Sequence, residues 1–463
     1  MEKVTLKNII EWTEGKFNNE ELLNKANEIF INDISKDTRT IKDGDIYLAL
    51  SGKVFDGHDF INQAFESGAG FSIASDISKV DDKYKDRIIK VSDTQVALNK
   101  ISAGYIEKLN IPVVAITGSV GKTTTKEMIA SVLSTKYKVL KTKENLNNNF
   151  GAPYTALELD STIDIAVIEG GMNHAGELNS ISQAITPSVC VITNVGESHI
   201  GNLGSRENIF KAKCEIFNYA KDDATLVLNK DDDFLPSVKG NSDVLKNPDN
   251  HKIIYRGLSD IVKEDVNKEE GYVIYETSDG FKFKVNSLVR NIASAALFAY
   301  EVGKLYNIDD EDIKKGIENF NNISKRMEVI KLNKVTILSD YYNACFDSIE
   351  SAIQSLSNFK DETNRTIAIL GDVGELGDYS QDIHKKIGTM LNKYSIDKIY
   401  FAGCDIKNAY EEYNGVKEYF ETKEQLIESL DENIFYKDDV ILIKSSNFCK
   451  FGDIFDKIKE IDE

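Results

Sequence analysis

Apolar residues in this chain fall into short runs that alternate between two spacings. The opening stretch, MEKVTLKNIIEWTEG, has them at helical spacing and predicts a short amphipathic helix. Strand-like runs follow at DGDIYLALSG, FSIAS and RIIKVS, with a helix at HDFINQAFESGA after the first. A helical segment from Thr94 to Leu109 leads through Pro112 to the apolar strand VVAIT. Beyond it, IDIAVIEG and SVCVITNV read as buried strands, and KTTTKEMIASVLSTKY and RENIFKAKCEIFNYA as amphipathic helices. Such alternation predicts a mostly parallel sheet covered by helices. A hairpin-like patch, GYVIYETSDGFKFKV, and the helix RNIASAALFAYEVGKLY complete this series. A second α/β series begins after about residue 322, with strands VTILSD, TIAILGD, KIYFAG and VILIKSS. The pattern predicts an α/β protein of three domains, residues 1–92, 93–321 and 322–463. The stretch 235–250 holds two of the five prolines and is expected to be a surface loop.

Composition changes this picture little. With 463 residues, 41% of them hydrophobic, the chain can fill its cores, and its length alone suggests about three domains. No apolar run reaches the roughly 18 residues of a membrane span. The N-terminus lacks the zones of a signal peptide, so a cytoplasmic location is expected. Cys190, Cys214, Cys345, Cys404 and Cys449 are dispersed without CxxC spacing and read as free thiols. A net charge of −20 argues against nucleic acid as a partner. It leaves room for a local positive pocket around an anionic substrate.

The sharpest chemical signal is VVAITGSVGKTTTK, in which a buried strand enters a glycine turn and then a helix. Backbone N–H groups of Gly118, Ser119, Val120 and Gly121, with Lys122, Thr123 and Thr124 opening the helix, are placed to face phosphates. Lys122 would bridge phosphate oxygens and Thr123 would hold Mg²⁺. Ile116 stands where the common phosphate-loop pattern has its first glycine. Glu169 ends one strand and His199 follows another, positions that line the ligand crevice of an open parallel sheet. A carboxylate suits Mg²⁺ well, an imidazole less. Lys213, on an amphipathic helix, reads from physics alone as a solvated surface lysine.

GSVGKTTTK, NLNNNFGAP, IEGGMNHAGEL, TNVGESHIGNLGS and AKCEIF occur in this order, and the set resembles the Mur ligases. NHAGEL, the AKxEI helix, DYYNACFDS and GDVGELGDYS point to their MurF branch, and DTRTIKDGDIYLALSG with DGHDFI resembles its uridine-nucleotide-binding domain. The resemblance implies an N-terminal uridine-nucleotide-binding domain, a central P-loop ATPase domain and a Rossmann-like C-terminal domain. It implies ATP-dependent ligation of D-Ala-D-Ala to a UDP-MurNAc-tripeptide through an acyl phosphate, by a monomer. It places one Mg²⁺ at Thr123 and Glu169 and a second near His199, beside a carbamylated Lys213. Asn147 and Asn148 match asparagines that face the muramoyl substrate, and Thr38 and Arg39 match a uridine-domain Ser-Arg pair. Arg326 matches a nucleotide-contacting arginine, with Lys325 in place of the preceding glycine. Asp340 and Asn343 match a DxYNA motif in which Cys345 and Phe346 replace Asn-Pro, and Lys444 matches the lysine of KGS. In the adenine-contacting helix, Arg290, Asn291 and Ser294 stand where the pattern is HNxxNA. Catalysis is then expected to require closure of the C-terminal domain about a hinge near residues 320–325.

Two other readings stand beside this one. A paralogue of the same chemistry could add a different amino acid or peptide. A nucleotide-binding partner protein could retain affinity with weak catalysis or none, although Lys122, Thr123, Glu169, His199 and Lys213 are all present.

Overall fold

Local signals compete at the N-terminus, and a sheet takes the first residues of the expected helix. The structure, a computed structural model, describes residues 1–52, 55–320, 324–361 and 363–463. Val4–Thr5 pairs antiparallel with Phe30–Ile31, and the helix spans only Leu6–Thr13. Thr5 sets that boundary, its hydroxyl accepting the Asn8 N–H at 3.2 Å in a capping box. A parallel sheet follows, ordered Ile34–Ser35, Ile46–Leu48, Phe71–Ala74, Ile88–Lys90. The helix at HDFINQAFESGA is a 3-10 turn, Gly57–Phe60, running into Ile61–Glu66.

The central sheet has six parallel strands, in the spatial order Lys252–Arg256, Thr225–Asn229, Val189–Ile192, Val113–Thr117, Ile165–Glu169, Val139–Lys141. Val113–Thr117, Ile165–Glu169 and Val189–Ile192 are buried throughout, which is why they read as continuous apolar runs rather than alternating ones. Their shared direction puts the loops after their carboxyl ends along one edge. The hairpin-like patch is a three-stranded antiparallel sheet, because a largely exposed strand, Ile261–Asn267, joins Tyr272–Thr277 and Lys282–Val285. The stretch 235–250 is not simply a surface loop. Leu235, Val238, Val244 and Leu245 are buried, so the 3-10 turn Leu235–Gly240 packs against the sheet while the turn Pro248–Asn250 buries none of its residues.

The C-terminal sheet runs Glu328–Lys331, Thr336–Asp340, Val440–Lys444, Thr366–Gly371, Lys398–Ala402, Lys417–Phe420, parallel except for the first strand. The two edge strands lay outside the four expected ones, since they are partly exposed and carry charged residues. The expected boundary at 321/322 and the middle of the expected hinge lie outside the described residues. Among those described, no helix is long and apolar enough to cross a membrane.

The helix Thr94–Leu109 joins the first two layers. It packs on Leu6–Thr13 and on the central helices Gly151–Leu157 and Glu177–Ile185. One apolar cluster accordingly runs from Val4 and Leu6 through Ile101 to Ile168 and Ile192. Trp12 lies over Gly104 so closely that an added Cβ would come within 2.5 Å of its ring. Gly104→Ala should therefore cost about 1–3 kcal/mol through overpacking. Trp12 is the single tryptophan, so urea unfolding followed by its emission reads both effects, with a lower midpoint and a red shift expected. An unchanged midpoint and spectrum would remove this contact from the account of how the layers are joined.

Candidate functional site

The loop after Val113–Thr117 is fixed by its neighbour. Ser119 N–H donates to the Asn194 carbonyl (3.0 Å) and Val120 N–H to Asn194 Oδ1 (2.9 Å). Asn194 Nδ2 donates back to the Val120 carbonyl at 2.9 Å, and Gly196 N–H donates to Ser119 Oγ at 2.8 Å. Gly118 adopts φ +149°, and a Cβ there would sit 1.9 Å from Thr193 Oγ1, so the turn requires glycine. Gly121, at φ +84°, opens the helix Lys122–Leu133 without a side-chain cap. The first-turn N–H groups therefore point into the crevice as an anion-binding end.

Lys122 Nζ donates to the carbonyls of Gly118 (2.8 Å) and Ser119 (3.2 Å). Burial lowers its pKa, with the Glu169 carboxylate acting the other way. Thr123 is buried at the same helix start. Glu169 is 1% exposed; its Oε1 accepts from Asn147 Nδ2 at 2.9 Å, while its Oε2 is buried without a partner. Asn148 Oδ1 accepts the N–H groups of Phe150 and Gly151, so it orders the loop that presents Asn147.

The C-terminal domain closes the other side of a cavity of about 970 Å³. Ser119, Val120, Gly121, Lys122, Thr124, Glu169, His199, Asn147, Asn148, Asn291 and Ser294 meet Arg326, Asp340, Asn343 and Lys444 there. His199, in left-handed backbone at φ +66°, brings Nδ1 to 2.6 Å from Glu375 Oε2, out of line for a hydrogen bond. The imidazole holds Glu375 below the usual carboxylate range. Glu197 N–H donates to Asp347 Oδ2 at 2.8 Å, and the Glu197 carboxylate pairs with Lys386 across the same boundary.

Other residues expected at the site serve the fold as well. Lys444 is 1% exposed and paired with Asp340 at 2.6 Å, and it also donates to the Asn343 carbonyl at 3.1 Å. Burial raises the Asp340 pKa against the pull of Lys444. Lys325 holds φ +62°, a conformation that favours glycine, so its place in the sequence carries backbone strain. Arg290 pairs with Glu264 at 2.7 Å, and the Asn291 side chain contacts Ser351. Ser294 sits on an apolar wall with Ala295, Phe298 and Phe320. Thr38 and Arg39 lie outside this cavity, on an exposed turn where Arg39 grips Asp37 at 2.6 Å.

Lys213 departs most from a reading on physics alone. It is 1% exposed rather than solvated, and burial, reinforced by Lys122, holds its pKa well below the ordinary lysine range. It does not line the cavity, yet the charge of Lys122 acts on it. Three further residues matter that the sequence did not single out: Asn194, Glu375 and Tyr342. Each acts through a contact made over a long sequence separation, although all three sit inside recognisable motifs.

The residues present suit a hard divalent cation. The unpartnered Glu169 Oε2 and the Thr123 hydroxyl are oxygen donors at the phosphate end. Among the described residues no three His, Cys, Asp or Glu side chains converge on a metal site. Mg²⁺ is commonly held by one or two protein oxygens together with phosphates and water.

Three Mur ligase family models match consecutive stretches of the chain. They are "Mur ligase family, catalytic domain" over residues 31–121, "Mur ligase middle domain" over 116–303 and "Mur ligase, glutamate ligase domain" over 325–447. The chain is 34% identical over 464 aligned residues to the UDP-N-acetylmuramoyl-tripeptide--D-alanyl-D-alanine ligase of Bacillus subtilis (strain 168), covering 98% of each. It superposes on MurF from Acinetobacter baumannii with a TM-score of 0.87 at 27% identity, covering 99% of both chains. MurF ligase from Thermotoga maritima, solved in complex with ADP, matches with a TM-score of 0.79 at 26% identity, over 93% of this chain and 97% of that one.

The burial of Lys213 has a measurable consequence. The unfolded chain keeps this proton to about pH 10, while the folded chain releases it earlier. Between the two pKa values the unfolded state binds more protons, so stability rises with pH. Lys213→Met should flatten that slope and stabilise the protein at neutral pH by about 1–3 kcal/mol. Urea midpoints in CO₂-free buffer at two pH values test this. A variant less stable than the parent at neutral pH would contradict it.

Proposed function

The chain belongs to the Mur ligase family, and from that premise we infer how its residues carry out the reaction. It is an ATP-dependent ligase that joins D-alanyl-D-alanine to UDP-N-acetylmuramoyl-tripeptide, in peptidoglycan precursor synthesis. One observation carries the assignment of roles. The phosphate loop opens into a cavity whose far wall comes from the C-terminal domain, so a nucleotide, a carboxylate and an amine can meet in one space.

The terminal carboxylate of the tripeptide takes the γ-phosphoryl group of ATP, giving an acyl phosphate and ADP. The amine of D-Ala-D-Ala attacks the acyl carbon, loses its proton, and inorganic phosphate leaves. The chain must hold three reactants in line and stabilise negative charge on the transferring group. Lys122 can exchange its two loop carbonyls for phosphate oxygens, and the helix start at Thr123 and Thr124 supplies N–H donors. Arg326 brings a second cation from the opposite wall. Asn147 and Asn148 face the muramoyl part, Asn343 and Lys444 order the acceptor side, and Thr38 and Arg39 serve the uridine nucleotide from the N-terminal domain. Asn291 and Ser294 flank the base, and Asp340 holds Lys444. Magnesium, bound through Thr123 and Glu169 with a second ion near His199, would neutralise phosphate charge. Every group named comes from one chain, so a monomer suffices, and dispersed free thiols fit a reducing cytoplasm.

Lys213 enters this reading as a carbamate. Its depressed pKa leaves a neutral amine, whose lone pair bonds to the carbon of CO₂ while one N–H proton passes to solvent. The product is an anion where the unmodified side chain is a buried amine that burial keeps from carrying a proton. ¹³C NMR of protein equilibrated with labelled bicarbonate should show a carbamate carbon that Lys213→Met lacks. Spectra that are identical for parent and variant would exclude the modification.

Lys122→Ala should lower kcat by at least about 100-fold, in keeping with the loss of a transition-state cation, while circular dichroism stays unchanged. A panel of amines offered with the nucleotide tripeptide should give ligated product with D-Ala-D-Ala and none with single amino acids. Product from a different amine only would replace this reading with that of a paralogue. ATP binding with no ligation of any amine would favour the non-catalytic one.

A further inference from the structure

Arg326 stands in the cavity wall, and among the described residues no carboxylate lies within ion-pair distance of it. Its guanidinium carbon lies 4.0 Å from the centroid of the Tyr342 ring. An aromatic face attracts a cation without taking up its N–H groups, so the planar donor fork stays available to an anion. The backbone holds Arg326 in this posture. Lys325 and Met327, on either side, adopt left-handed φ of +62° and +51°. Tyr342 N–H donates to the Lys325 carbonyl at 3.2 Å, and Met327 N–H donates to Asp340 Oδ1 at 3.1 Å. Strain of this kind persists only where the surroundings over-determine it.

The other end of Tyr342 crosses the domain boundary. Its hydroxyl contacts Asn145 Oδ1, at the start of the segment that carries Asn147 and Asn148. Asn147 in turn donates to Glu169 at 2.9 Å. One phenol therefore has its ring under the free cation and its hydroxyl on the asparagine loop.

We propose that Tyr342 is a positioning residue that couples the two substrates: its ring mounts Arg326 for the phosphates of ATP, and its hydroxyl sets the 145–149 loop for the nucleotide tripeptide. This rests on the roles given above to Arg326 and to Asn147 and Asn148. The two functions sit on different atoms, so they can be removed one at a time.

The experiment is steady-state kinetics of Tyr342→Phe, Tyr342→Leu, Asn145→Ala, the Tyr342→Phe/Asn145→Ala double variant and Arg326→Ala, with KM for each substrate measured separately. Tyr342→Phe should raise KM for the nucleotide tripeptide by about 3- to 10-fold, the worth of one hydrogen bond, and leave KM for ATP within about twofold. Asn145→Ala should do the same, and the double variant should be no worse than either single one. Tyr342→Leu should in addition raise KM for ATP by about 3- to 30-fold, a loss that the phenylalanine variant avoids because its ring remains. If Arg326→Ala impairs ATP use while both Tyr342 variants match the parent, the coupling is overturned and the assignment of Arg326 stands. Additive penalties in the double variant also overturn it. A parental KM for ATP in Arg326→Ala overturns the assignment beneath it.

Discussion

Asn194 holds the phosphate loop with both its backbone and its side chain, and much of the site depends on that grip. The loop itself has little internal order, since Gly118 and Gly121 occupy backbone regions closed to most residues. Parallel pairing of Val113–Thr117 with Val189–Ile192 puts Asn194 beside it, two residues past the neighbouring strand's end. With the loop fixed, the helix start and Lys122 take their directions. The same segment continues through Glu197 to His199, where it meets Asp347, Lys386 and Glu375. A single connection thus shapes the phosphate site and receives the C-terminal domain.

Charge distribution follows a related logic. The chain carries a formal charge of −20, and its crevice also holds more carboxylates than lysines and arginines, so the surroundings of each cation there decide its use. Lys444 is neutralised by Asp340, whereas Arg326 rests on a ring and Lys122 on carbonyl oxygens. The last two keep their charge uncancelled, which suits transferring phosphate rather than simple structural pairing. Lys213 is the extreme case, a buried amine whose loss of solvation disfavours the cation.

Continuous apolar runs made three of the six central strands and four C-terminal strands readable, because sheets buried on both faces leave no alternation to misread. The glycine turn between strand and helix was readable for the same local reason. Edge strands such as Glu328–Lys331 and Lys417–Phe420 escaped, since partial exposure erases their pattern. The 235–250 stretch misled through its prolines, although four of its apolar residues are buried. Lys213 shows the limit most clearly: helical position implied solvent, and only the resemblance pointed inward. Tyr342, Glu375 and Asn194 could not be chosen from periodicity, because each acts on a residue more than 10 positions away or on another strand's loop.

The apolar cluster shared by the N-terminal and central layers divides the molecule unevenly. Those two layers share one core, while the C-terminal domain keeps its own cores and meets them through polar side chains together with the apolar Ile200, Leu288, Met327 and Val329. Sequence change is therefore constrained differently in the two parts. Substitutions in the N-terminal and central layers must be matched across a continuous interior, whereas the C-terminal domain can drift by altering surface pairs one at a time. An ancestral ligase built on this plan could acquire a new amine by changing its last third while inheriting the activation chemistry intact.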